Sequence, residues 1–161
     1  MKKFLLVLVV LGTATALVLP AYGGGRDGFR SDLLGSQPGQ PIRTVSSGGV
    51  PWTMEDGSAA RLTEYGRLRA DIRGLLITGT GMAIDGTTGP VTQVVAALTC
   101  ANPATGDAGP PTILNSAPAP LSSKGDARID QQIAVPTTCL APIVLIRANG
   151  ASGPWIAASG F

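Results

Sequence analysis

Residues 125–147 read GDARIDQQIAVPTTCLAPIVLIR. Ala127, Ile129, Ile133 and Val135 fall on alternate positions, with Gln131 the one polar member of that row, and Arg128, Asp130 and Gln132 fill the positions between. A period of two marks a strand with one face buried and one in solvent. Pro136 withdraws a ladder donor and ends that strand, and Pro142 bounds a short crossing loop that carries Cys139. Ile143 to Ile146 then form a continuous apolar run, the pattern of a strand covered on both faces.

Further strands extend outward from this pair. Between Val91 and Cys100, the residues Val94, Ala96, Leu98 and Cys100 share one face, which puts the cysteine in the core row. In RLRADIRGLLI (67–77), Leu68, Ala70 and Ile72 oppose Arg67, Arg69, Asp71 and Arg73. The parity switches at Gly74, as at a β-bulge or a turn of the chain. Val50 to Met54, Thr112 to Ser116 and Trp155 to Ser159 complete the set, and Asn149-Gly150 is hairpin chemistry before the last strand. Trp155 is expected in or beside the core, with Trp52 as a packing partner. No helical period follows residue 23. Six or seven short strands separated by turns predict an all-β, antiparallel, immunoglobulin-like sandwich over residues 50–161.

Lys2 and Lys3, the apolar run Phe4 to Leu19, and small residues around Ala21-Tyr22-Gly23 predict a secretory signal peptide over residues 1–23. The apolar run is shorter than the roughly 20 residues of a spanning helix, so no stable membrane span is expected after cleavage. Twelve basic and ten acidic side chains then become ten and ten, since only Lys2 and Lys3 leave. A neutral mature chain lacks the electrostatic case for a nucleic-acid partner. Residues 24–49, rich in Gly, Ser, Pro, Gln and Arg, read as a flexible leader, with a tail that folds on a partner as the alternative. The only two cysteines, Cys100 and Cys139, predict a structural disulfide in an exported chain, two buried thiols being the alternative.

The absence of histidine removes the Ser-His-Asp triad, the Cys-His pair and the common zinc sites. Lys124 reads as a turn residue rather than half of a Ser-Lys dyad, and Asp85, Asp107, Asp126 and Asp130 match no calcium loop. No metal, cofactor or catalytic residue is therefore assigned. Glu55 and Asp56 fall in a turn. Residues 78–90 are glycine-rich without the Gly-Lys-Ser/Thr ending of a phosphate loop. One binding face is a candidate, the stripe Arg67, Arg69 and Arg73, which fits an anionic ligand; a charged edge or outer face that discourages strand addition produces the same pattern and is the reading favoured by the residues alone.

From about Leu68 to Gly160 the chain resembles small secreted bacterial β proteins with a single disulfide. The shared stretches are Leu98-Thr99-Cys100, the run from Val135 through Cys139-Leu140-Ala141-Pro142 to Arg147, and Trp155 to Gly160. The resemblance implies an exported β domain and transfers no catalytic residues. A likeness to chordin-type repeats, in Gly74-Leu75 and Gly89-Pro90-Val91, lacks the histidines usual there. The expectation is a secreted, non-enzymatic surface, matrix or binding module, its partner an undefined cell-surface or extracellular component. Two rivals remain: a hydrolase working through Asp71 or Asp126, and an envelope component ending on Phe161.

Overall fold

The structure, a computed structural model, describes residues 27–159. The expected signal peptide and Phe161 lie outside the described residues. Eleven strands run through them: β1 (Asp27–Gly35), β2 (Trp52–Thr53), β3 (Ala59–Thr63), β4 (Arg67–Ile72), β5 (Leu76–Ile77), β6 (Gln93–Ala101), β7 (Thr112–Asn115), β8 (Ala119–Pro120), β9 (Ala127–Gln132), β10 (Leu140–Ala148) and β11 (Trp155–Ser159). Among the described residues there is no helix, and the strand pairings are antiparallel.

The main path of strands is β7-β6-β10-β11-β1-β3-β4-β9, with β8 on β6 and a separate β2-β5 pair. It curls at β1. Asp27 to Asp32 pair with β3, whereas Leu33 to Gly35 pair with β11, so one strand belongs to both layers. Between the layers lies the main core: Leu68, Ala70, Ile72 and Ile129 from one side meet Val94, Ala96, Leu98, Val144 and Ile146 from the other. These are the rows that period two predicts for β4, β6 and β9. Each fully buried Leu or Ile contributes roughly 1.5–3 kcal/mol relative to exposure.

The chain between residues 27 and 49, expected to be a flexible leader, is instead part of the fold. β1 alternates Phe29, Ser31 and Leu33 inward with Arg30 and Asp32 outward, a strand pattern that the polar Ser31 hides. Its end at Gly35 is tightly constrained, because a Cβ there would stand 2.0 Å from the Trp52 carbonyl oxygen. The following segment folds over the outer face of the β10-β11 layer. There Ile42 and Val45 pack with Ala97, Leu145, Trp155 and Ala158 in a second apolar cluster. Residues 46–48 pair alongside Trp155, through Trp155 N to Ser46 O at 2.9 Å and Gly48 N to Trp155 O at 2.8 Å. This cover explains why residues 143–146 are apolar on both faces. Val144 and Ile146 face the main core, and Leu145 the second cluster.

Trp52 belongs to the main core and Trp155 to the second cluster, so the two tryptophans do not share one cluster. Strands β1, β3 and β8 lie outside the expected set, and the expected run 67–77 divides into β4 and β5, which raises the expected six or seven to eleven. At Gly74 (φ 56°) the chain leaves β4 and turns toward β5, which resolves the parity switch. Cys100 and Cys139 are bonded, with Cα atoms 4.9 Å apart. Cys100 is buried in the core row, and the bond ties the end of β6 to the start of β10, its neighbour in the same layer. Pairing between those strands skips from Leu140 to Ile143, leaving Ala141 bulged at φ 42°.

Candidate functional site

The outer face of β1, β3, β4 and β9 collects charge in registered rows. Arg30 lies opposite Arg61, Arg61 opposite Arg69, and Arg69 opposite Asp130. The next row runs Asp32, Ala59, Asp71 and Arg128. Alternation generates most of this arrangement, since Arg61, Arg69, Asp71, Arg128 and Asp130 each adjoin a buried Ala, Leu or Ile, whereas Arg30 lies between half-buried Phe29 and Ser31 and Ala59 is itself buried.

Asp130 joins two of the expected arginines. Arg67 donates to it through Nε at 2.7 Å and Nη2 at 3.0 Å, and Arg69 donates from the neighbouring position at 2.9 Å. The hydrogen bonds from Arg67 and then Arg69 hold the Asp130 carboxyl far below its ordinary range, and the same carboxylate raises Arg67. A depressed folded value means stability that is complete above the unfolded aspartate value of about 4 and is lost as pH falls below it. Asp85, lowered by its bond from the Thr80 hydroxyl, adds with the same sign. A thermal-melting series from pH 7 to 2 is expected to show the midpoint falling below about pH 4, more steeply than in Asp130→Asn. Parallel curves would contradict the role of this pair.

Arg73 does not join the stripe. It follows the last residue of β4 and lines an open cleft of about 660 Å³ with Glu55, Asp71, Asp126 and Arg128. The cleft thus brings together both carboxylates of the hydrolase reading. Each has a partner: Asp71 lies 3.7 Å from Arg128, and Asp126 accepts the Gly74 N–H at 3.1 Å. Lys124 sits in a turn closed by Gly125 N to Ser122 O at 2.9 Å. The four aspartates considered for calcium are dispersed. Asp85 caps residues 80–81, Asp107 meets Arg43, Asp126 holds Gly74, and Asp130 holds β4.

Arg30, Arg61 and Arg128 complete the face and were absent from the expected stripe. Arg61 is notable because its Nε is buried with no hydrogen-bond partner among the described residues. Its cross-strand neighbours are both arginines, an unfavourable pairing for a sheet. Arg43, next in sequence to Ile42 of the second cluster, has only 2% of its side chain exposed and spans three segments. It donates to Asp107 at 2.8 Å, to the Thr99 hydroxyl at 2.6 Å and to the Ala141 carbonyl oxygen at 2.5 Å. Burial lowers Arg147, whose Nε donates to Gly153 O at 2.8 Å inside the β10-β11 hairpin.

No family model matches the chain, and the searches of curated proteins and of solved structures return no match.

Proposed function

We propose that this protein is an exported, non-enzymatic binding module that meets an anionic extracellular or cell-surface polymer through the outer face of β1, β3, β4 and β9. The observation that carries the reading is the row Arg30, Arg61, Arg69, in which the central arginine keeps a buried donor without an acceptor among the described residues. Asp130 already pairs with Arg69, which leaves Arg30 and Arg61 as adjacent guanidiniums that oppose folding unless a counter-charge relieves them, and a sulfate, phosphate or carboxylate group takes the fork of donors that arginine offers. A disulfide suits an oxidising compartment, and no helix among the described residues is long and apolar enough to cross a membrane. The two packed antiparallel layers are read as an immunoglobulin-like sandwich that presents one outer face for binding.

The test is elution from a heparin column, with Arg61→Gln and the triple change Arg30→Gln, Arg67→Gln and Arg69→Gln. The native chain is expected to elute later than either variant, while Arg61→Gln melts no lower than native at low salt because a like-charge contact is gone. Equal retention of all three would reject the arginine face as the contact surface. Fractionation of the source cells, with intact mass under non-reducing conditions, tests export separately: an oxidised chain beginning near Gly24 is expected outside the cytoplasm.

A second reading, a carboxylate hydrolase, is favoured by Asp71 and Asp126 lining one cleft. It predicts glycosidase activity that Asp126→Asn abolishes, where the binding reading predicts none to lose.

A further inference from the structure

We propose that a groove beside Trp52, away from the arginine face, binds a small neutral ligand: an apolar body bearing one hydrogen-bond acceptor, such as a ketone, ester or amide carbonyl. The groove encloses about 530 Å³, a size suited to a small organic molecule. Buried Trp52, Ile77, Val91 and Ile156 line its depth, and exposed Pro90 and Pro154 its rim. No Asp, Glu, Lys or Arg lines it. A charged ligand would lose its hydration there without compensation, which selects a neutral one.

The indole supplies the specific contact. Trp52 is 4% exposed, and its Nε1 has no hydrogen-bond partner among the described residues. A buried donor left without an acceptor is costly, and a ligand carbonyl that accepts from it recovers that cost. Gly48, another lining residue, lies against it: a Cβ there would stand 3.1 Å from Nε1 and 3.3 Å from Ile156 Cγ2, so only a small backbone element separates the indole N–H from the groove. Trp155 offers the contrast, since its Nε1 donates to Gln40 O at 3.1 Å. Asn149, the amide side chain in the wall, is already committed: its oxygen accepts from Thr92 N at 3.1 Å and its nitrogen donates to Pro90 O at 3.2 Å. The unspent buried donor of the groove is therefore the indole N–H.

The experiment uses two neutral fluorophores on the oxidised chain from Gly24. They are 6-propionyl-2-dimethylaminonaphthalene, whose ketone is the acceptor, and 2-dimethylaminonaphthalene, which lacks it. Saturable, blue-shifted binding of the ketone probe is expected. Trp52→Phe keeps an aromatic ring without the donor and should weaken the ketone probe about tenfold while changing the ketone-free ring less than about twofold. Ile84→Arg, at a half-buried lining position, should weaken both. If Trp52→Phe does not fold, Gly48→Ala obstructs the same N–H and should reproduce the selective loss. The proposal is overturned by absence of saturable binding, by equal weakening of both probes when the donor is removed or obstructed, or by binding that Ile84→Arg leaves unchanged.

Discussion

Replacing Arg43 by alanine is expected to destabilise the domain by about 3 kcal/mol, read as a fall in the denaturation midpoint. The magnitude comes from what stays behind, more than from the ion pair. Asp107 is 70% exposed, so its contact with the guanidinium is worth little by itself. Thr99 is fully buried, and both its hydroxyl and the Ala141 carbonyl would lose a charged donor. The Arg43 side chain is itself 2% exposed, so its truncation also removes a buried aliphatic stem. Arg43→Lys is expected to recover less than half of the loss, because a single ammonium cannot reach three acceptors in a fixed fork. Arg43 sits at φ 54°, so Arg43→Gly should be less damaging than Arg43→Ala by roughly 1 kcal/mol. Equal stability of native and Arg43→Ala would show that the cover over the β10-β11 layer is held by its apolar contacts alone.

Reducing the disulfide is expected to lower the thermal midpoint by on the order of 10 °C. The bond closes a sequence separation of 39 residues, for which the loss of chain entropy in the unfolded state stabilises the fold by roughly 4 kcal/mol at most. Its position adds a local effect. Beside it the β6-β10 pairing is interrupted at the bulged Ala141, where the link and Arg43 reinforce the lone Leu140–Ala101 pair in holding the start of β10 against β6. Reduction and Arg43→Ala are therefore expected to be non-additive, because each removes a restraint on the same bulge. Melting of the reduced chain at the native temperature would contradict a stapled β6-β10 end.

Where the pattern of the chain was simple, it was legible. The alternation in β4, β6 and β9 and the double-sided run in β10 translate directly into burial, because one parity of each strand faces one layer. β3 was missed although Ala60 and Leu62 alternate with Arg61. The segment is five residues long and alanine-rich, and it lies between two turns. β1 escaped for two physical reasons: Ser31 occupies an inward position, and the strand divides its pairing between two layers. The cover that follows it has no period at all, since its place is fixed by one turn at Ile42 to Val45 and by the reach of Arg43. The candidate face followed the same rule. Arg67 and Arg69 were visible within one strand, whereas the row Arg30, Arg61, Arg69 exists only once three strands are in register. Arg73 kept the parity of the stripe but lies past the end of its strand, where the chain turns.

The segment before residue 50 carries much of this account, because it supplies Arg30 to the charged face, Arg43 to the outer layer and Gly48 to the groove. Hydrogen–deuterium exchange on the oxidised chain from Gly24 tests it most directly. The amides of Leu33, Ser36, Val45 and Gly48 donate to Ser58, Ile156, Ile42 and Trp155 respectively. They are expected to be protected to a degree approaching that of β10. Exchange at these four amides at the rate of an unstructured chain, with β6 and β10 still protected, would contradict it and return the segment to the status of a flexible leader.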